Sequence, residues 1–282
     1  MVGLESRAVP ELPEIEVLRR SLEPRLLGRR FEQVEVLSPA LREPLDRRTL
    51  RRRLEGRKIL ALGRRGKYLC IDVEGGSTLI VHLGMSGRLT LVPEAEPREA
   101  HEHLAFRLDG GERLRLRDPR RFGLSFAAPT AGLERDPHFR HLGREPLDPP
   151  LTGVDLARLA AGRRAPVKAF LMDATRVVGV GNIYATEALH RAGIHPARSI
   201  GRIAPARWDR LARAVVEVLE SAIREGGTTL NDFTDGAGNE GYFQVSLAVY
   251  GRESKPCPRC GTSIRRLVQS CRSSFYCPRC QR

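Results

Sequence analysis

Four cysteines near the C-terminal end constrain the fold of this 282-residue chain more than any other feature. Cys257, Cys260, Cys277 and Cys280 form C-x2-C-x16-C-x2-C. Each C-x2-C knuckle presents two thiolates to one tetrahedral ion, so the spacing predicts a structural Zn²⁺ that pins a small hairpin. Four unrelated reduced cysteines are the weaker reading, and disulfides do not suit the cytoplasmic protein expected below. Cys70 lies in an apolar run and is expected in the core. Cys271 falls outside the knuckles and is expected to be a free thiol. From 251 to 282 the tail carries eight Lys+Arg and one acidic residue, or +7. Zinc bound by four thiolates leaves about +5, which suits a phosphate backbone.

The positive surplus extends to the whole chain: Lys+Arg 48 against Asp+Glu 34, a net +14. Such an excess, rich in arginine, favours a nucleic acid over mere solubility. No apolar run approaches the roughly 20 residues of a membrane span, and the N-terminus lacks a signal-peptide core. A cytoplasmic protein without membrane attachment is expected.

Periodicity divides the chain. Residues 14–27 read as a helix, with Ile15, Leu18, Leu22 and Leu26 on one stripe and Gly28 at its stop. Strand-like runs follow at 31–37, 59–62, 68–73, 78–83, 88–91, 103–108, 113–116 and 123–127, with Glu74-Gly75-Gly76 and Asp109-Gly110-Gly111 as turns. Many short strands with regular turns predict a β-sandwich. Prolines 146, 149 and 150 mark a boundary. Beyond it Thr152 with Asp155 resembles a capping box, and Pro166 can open a helix running to about 173. Asn182 can cap a helix over 183–192, and Pro205 opens a long helix ending at Gly226-Gly227. Residues 235–241 read as a mobile loop.

Several turns admit two readings. Gly179-Val180-Gly181-Asn182 either binds an anion at a helix N-terminus or is a packing turn, and alone favours packing. Lys67, in Arg64-Arg65-Gly66-Lys67-Tyr68, reads in isolation as part of a solvated basic turn. Arg47, Arg48, Arg51, Arg52 and Arg53 are read the same way. Met85 and Phe122 sit in glycine-bounded turns, where they either cover core or wedge into a base stack while an arginine reads the opposite base. Trp208 is expected to pack.

Pro10 opens a second puzzle. Pro13 and Glu14 suit the start of a helix, but nothing in that reading needs Pro10. A proline with nothing before it is a secondary amine, able to form an iminium with an aldehyde-like carbon. Within the chain its nitrogen is an amide and not nucleophilic.

Together, PELPE at 10–14, GKY at 66–68, HLGMSG at 82–87, DPRRFG at 118–123, VVGVGNIYA at 177–185, GIHP at 193–196, GGTTL at 226–230, GYF at 241–243, VYGR at 249–252 and the cysteine quartet resemble, in order, the formamidopyrimidine-DNA glycosylases. The ordered set, spanning Pro10 to Arg282, is specific even though each motif is weak. The resemblance implies an α+β multidomain fold: an N-terminal β-sandwich with flanking helices, a helix–two-turn–helix domain and a C-terminal zinc-finger β-hairpin. The expected boundaries are 1–9 for an extension, 10–140, 150–240 and 247–282. The endonuclease VIII branch more typically begins PEGPE; Leu12 stands at that glycine, and 231–250 resembles the oxidised-purine branch. The implied activity is excision of formamidopyrimidine and 8-oxoguanine from double-stranded DNA, with AP lyase strand cleavage, by a monomer in the bacterial cytoplasm, associated with the nucleoid.

The resemblance also implies roles. Pro10 is the nucleophile and Glu11 the assisting acid. Lys67 is the proton donor for β-elimination and Arg272 for δ-elimination, although a guanidinium stays charged and phosphate binding would explain Arg272 equally. Met85, Arg120 and Phe122 fill the gap left by the extruded base, and His101, Arg120, Arg164, Lys168 and Asn182 contact DNA. Two departures stand out. Ser270-Cys271-Arg272 keeps the arginine but changes the usual Gln-Arg approach. Residues 1–9 precede Pro10; since a GTG codon reads as valine inside a gene but can start translation with methionine, initiation at position 9 followed by methionine removal would leave Pro10 first. If residues 1–9 are retained, the alternative is a non-catalytic binder of damaged DNA with the same fold.

Overall fold

The computed structural model describes residues 10–227 and 247–282. The expected extension at 1–9, the loop at 235–241, GYF at 241–243 and most of GGTTL lie outside the described residues. The chain divides into two compact units, Met1–Arg140 with Glu225–Tyr242 and His141–Arg224 with Phe243–Arg282.

The first unit opens with α1 (Leu12–Leu26), capped by Glu11 in a capping box with Glu14, with Pro13 in the first turn. Its apolar stripe packs into one core with the inner faces of two four-stranded antiparallel sheets. One sheet has the order β1-β6-β7-β5 and the other β2-β3-β4-β8. The strands are β1 (Phe31–Val36), β2 (Ile59–Arg65), β3 (Tyr68–Val73), β4 (Ser77–His82), β5 (Arg88–Pro93), β6 (Glu102–Leu108), β7 (Glu112–Arg117) and β8 (Leu124–Pro129). Alternation selects the core: Leu69, Ile71 and Val73 point inward from β3. Cys70 takes the opposite face and is only half-buried, which corrects its expected core position.

The arginine-rich stretch at 47–53 is also corrected. It forms α2 (Arg47–Leu54), capped by the Asp46 carboxylate accepting from Thr49 N at 2.9 Å. Leu50 and Leu54 bury into the core. The polar side chains serve the outer edge of β1. Arg47 donates to Val36 O at 2.9 Å, Arg51 donates to Val34 O at 3.1 Å, and Glu55 accepts from Val34 N at 2.9 Å. They replace a neighbouring strand along an edge that would otherwise invite pairing.

The second unit contains α3 (Gly153–Ala160), α4 (Val167–Leu171), α5 (Asn182–Ala192), α6 (Pro205–Arg224) and the hairpin β9 (Arg265–Gln269) with β10 (Arg272–Tyr276). The Thr152/Asp155 capping box forms as expected. Helix α4 connects to α5 through two turns, the first closed by Thr175 N and Oγ1 donating to Asp173. Gly181, not Asn182, is the N-cap of α5, which starts at Asn182 itself. Trp208 is buried on α6 and meets Phe170 edge-on at 5.8 Å. No helix among the described residues is long and apolar enough to cross a membrane.

Glu16 ties α1 to the β2–β3 hairpin. Its carboxylate accepts from Arg20 at 2.8 Å and from Arg19 at 3.0 Å on α1, and from Arg64 at 3.3 Å on β2. Burial alone would raise the Glu16 pKa; the hydrogen bonds from Arg19 and Arg20 and the Arg64 charge outweigh it and hold the group below its ordinary 4.5. A depressed carboxyl stabilises the fold above its unfolded value and loses that contribution as pH falls through the folded value. Glu16→Gln is therefore expected to cost about 2 kcal/mol at pH 7, with the difference shrinking once the pH falls below 4.5. Urea unfolding at neutral and acid pH measures both.

Candidate functional site

The expected site residues fall into both units. In the first, Pro10 is buried immediately before the α1 N-cap. Glu11 is also buried, and its backbone N donates to Glu14 Oε2 at 2.8 Å. Lys67 is half-exposed in the β2–β3 turn, where Arg64 donates to Gly66 O at 3.0 Å. The Glu16–Arg64 pair fastens that hairpin to the helix that begins beside Pro10.

Met85, Arg120 and Phe122 are brought together by two turns that touch backbone to backbone. A Cβ on Gly84 would come within 2.3 Å of the Phe122 carbonyl carbon, and Gly84 has φ +64. Only glycine fits there without displacing a turn. Asp118, fully buried, accepts from Ser86 Oγ at 2.6 Å through Oδ1 and from Gly123 N at 2.7 Å through Oδ2. Phe122 is 43% exposed, so it does not cover the core. The Arg120 guanidinium carbon stands 4.8 Å from the Phe122 ring centroid, a cation–π contact. Met85 is half-buried beside Ser86. Phe122 therefore stands at the surface and not in the core.

His82 begins the Met85 turn and accepts from Gly84 N at 3.0 Å through Nδ1. Burial first, then the charges of Arg42 and Lys67, push its pKa down to about 3, so the ring stays neutral and its nitrogen stays an acceptor. His101 is exposed with φ +68. The loop before it is fastened to β7 by Arg115 with Glu96 and Glu99, and by Arg117 Nε donating to Ala100 O at 2.9 Å.

In the second unit Arg164 is exposed ahead of α4. Lys168 is placed differently from a side chain reaching into solvent: it is 2% exposed. Its Nζ donates to Asn182 Oδ1 at 2.6 Å, Ser274 Oγ at 2.7 Å and Ser273 O at 3.0 Å. Burying an ammonium is tolerable only with such acceptors. Lys168 and Asn182 together lock α4 and α5 onto the strand that follows Arg272. Arg272 itself is exposed, directly after a two-residue hairpin turn in which Ser270 and Cys271 both have positive φ, +47 and +60. Cys271 is exposed at that turn.

The four expected metal ligands converge, their sulfurs all within 4.8 Å of one another. Cys260–Cys277 and Cys257–Cys280 separations are 3.4 and 4.0 Å. Tetrahedral zinc–thiolate bonding requires about 3.8 Å. Burial and the neighbouring sulfurs push the Cys280 thiol up to about 12, so four thiolates coexist there only around a cation. The chain holds one structural zinc.

Sequence reading missed Asp118, Ser86, His82 and Glu187. Asp118 carried a signal, since Asp before Pro commonly heads a side-chain-closed turn. Glu187 carried none.

Three family models match the chain: the formamidopyrimidine-DNA glycosylase N-terminal domain at residues 9–125, the formamidopyrimidine-DNA glycosylase H2TH domain at 142–234, and a zinc finger found in FPG and IleRS at 254–282. A formamidopyrimidine-DNA glycosylase of Halorhodospira halophila is 50% identical over 278 residues, covering 97% of this chain and 100% of that protein. A Lactococcus lactis FPG mutant in complex with a Fapy-dG containing DNA superposes with a TM-score of 0.90 at 31% identity, over 97% of this chain and 100% of that one. The MutM (FPG) protein of Thermus thermophilus gives 0.85 at 40% identity, over 96% and 98%.

Cys277→Ala is expected to release the metal and melt the hairpin, because a small hairpin of this kind is held by its ion. Elemental analysis should fall from one zinc per chain to none. Amide exchange should accelerate across β9 and β10 and stay slow across β1–β8.

Proposed function

The chain belongs to the formamidopyrimidine-DNA glycosylase family, base-excision-repair enzymes with AP lyase activity, and we propose that its reaction starts from the nitrogen of Pro10. The observation carrying this reading is local: Pro10 immediately precedes the buried Glu11 N-cap, on a helix fastened to the Lys67 hairpin.

The damaged nucleotide leaves the stack, exposing C1′. The free amine of Pro10 attacks C1′, the bond to the base breaks, and Glu11 assists by proton transfer to the departing group. The resulting aminal loses its N–H proton and breaks its C1′–O4′ bond, O4′ leaving protonated, and the ring-opened iminium so formed acidifies the C2′ proton. β-Elimination expels the 3′ phosphate and δ-elimination the 5′ phosphate, with Lys67 acting at the first step. Arg272 remains charged, and its part at the second step is to hold the departing phosphate. Met85, Arg120 and Phe122 occupy the emptied stack. His101, Arg164 and Asn182 meet the backbone, and Lys168 acts by orienting Asn182. The lesions are formamidopyrimidine and 8-oxoguanine, in duplex DNA of a bacterial cytoplasm.

This chemistry needs Pro10 to be the first residue. Two observations support that: Val9 precedes it, as a GTG start would be read internally, and the N-terminal family model begins at residue 9. Intact-mass analysis of protein from its host is expected to show chains beginning at Pro10. Such protein should convert an 8-oxoguanine duplex into strands with phosphate at both ends of the gap. A chain forced to keep residues 1–9 should be at least 100-fold slower. Equal rates would overturn the role of Pro10 and make Lys67 the next nucleophile to examine; no excision by either form would leave the non-catalytic binder.

Phe122→Ala is expected to slow excision of 8-oxoguanine about tenfold or more, and cleavage at an abasic site far less, because an abasic site needs less unstacking. Single-turnover rates on the two duplexes give the ratio. Equal losses would return Phe122 to a packing role.

A further inference from the structure

We propose that Asp118 is the positioning residue of the wedge: its buried carboxylate locks the Met85 turn to the Arg120–Phe122 turn, so that the two enter DNA as one rigid body. This rests on the wedge reading above and adds a residue buried beneath the two turns.

The carboxylate is fully buried, and its hydrogen bonds go to the two turns. Besides Ser86 Oγ and Gly123 N, it faces Arg120 N, at 3.3 Å from Oδ1. The Ser86 hydroxyl oxygen also accepts from Arg120 N at 3.3 Å, closing a small ring of hydrogen bonds. One donor thus comes from the turn bearing Met85, and two from the turn bearing Arg120 and Phe122. Charge-assisted bonds of this kind are short and about twice as strong as neutral ones.

The same residue reaches the third expected contact through its backbone. Asp118 N donates to His101 O at 2.9 Å, and Asp118 O pairs with His103 Nε2 at 2.9 Å. Three separate segments, at 84–87, 101–103 and 118–123, therefore share one buried anchor. A wedge must resist being pushed back while it separates stacked bases. An exposed phenylalanine on a loose turn would move aside; one on an anchored turn transmits the load.

Asp118→Asn keeps size and shape but removes the charge and one acceptor. Ser86→Ala removes the other side of the lock and leaves a smaller change to the fold. Both are expected to slow 8-oxoguanine excision at least tenfold, with a loss at least fivefold greater than on an abasic duplex. The loss should disappear in a Phe122→Ala background, since a lock has no effect once the wedge is gone. Thermal unfolding of each variant reports folding independently, and Ser86→Ala tests the lock should Asp118→Asn be unstable. Equal losses on both duplexes, full additivity with Phe122→Ala, or unchanged excision by folded Ser86→Ala and Asp118→Asn would each overturn the proposal. Failure of the wild-type chain to excise the lesion would instead overturn the functional reading on which it rests.

Discussion

Burying a carboxylate is unfavourable by several kcal/mol unless donors surround it. Each unit of this protein contains such a group that joins otherwise irregular segments. In the first unit Asp118 collects a hydroxyl and main-chain amides from two turns. In the second, Glu187 on α5 accepts from Tyr250 N at 2.8 Å and from Val249 N and Ala248 N at 3.0 Å. Burial pushes the Glu187 carboxyl up, and those amides pull it back. The donors to Glu187 are all backbone amides and those to Asp118 are two backbone amides and the Ser86 hydroxyl, in each case from segments with no regular secondary structure. The carboxylate gives those segments a fixed place that neither helix nor strand supplies.

Glu187 is part of a longer polar seam along α5. Asn182 Nδ2 meets the Tyr250 hydroxyl at 3.4 Å, His190 Nε2 lies 3.5 Å from Cys257 Sγ, and Gln281 donates to Ile194 O at 2.9 Å just past the helix end. Zinc closes the finger on itself, while α5 and Lys168 set its orientation within the unit. The exposed Arg272 is carried on a hairpin held from both sides. Orientation of this kind matters more for Arg272 than its protonation, because its charge does not change.

Much of this was legible in the sequence because period and spacing encode it directly. The cysteine quartet specified a four-sulfur cluster, and many short strands with regular turns specified a sandwich, although the inward face of β3 is that of Leu69, Ile71 and Val73 and not of Cys70. What failed did so for identifiable reasons. The 47–53 stretch was read by its charge, whereas Leu50 and Leu54, four residues apart, made it a helix, and two of its five arginines, Arg47 and Arg51, found carbonyls on a strand edge. Apart from these failures, the three acceptors that hold Lys168 come from distant positions that no local pattern marks. Glu187 was illegible because its partners are backbone amides, which every residue carries and no sequence pattern marks; the Asp118-Pro119 step marked a turn but not the Ser86 hydroxyl that meets it from another segment.

The mechanism turns on which atom forms the covalent bond to DNA. The direct measurement is borohydride reduction of the native protein mixed with an 8-oxoguanine duplex, followed by proteolysis and mass spectrometry of the cross-linked peptide. Attachment at the α-nitrogen of an N-terminal Pro10, in the peptide running into Glu11-Leu12-Pro13, is the predicted result. Attachment at Lys67, or efficient strand cleavage with no trapped complex, would contradict it.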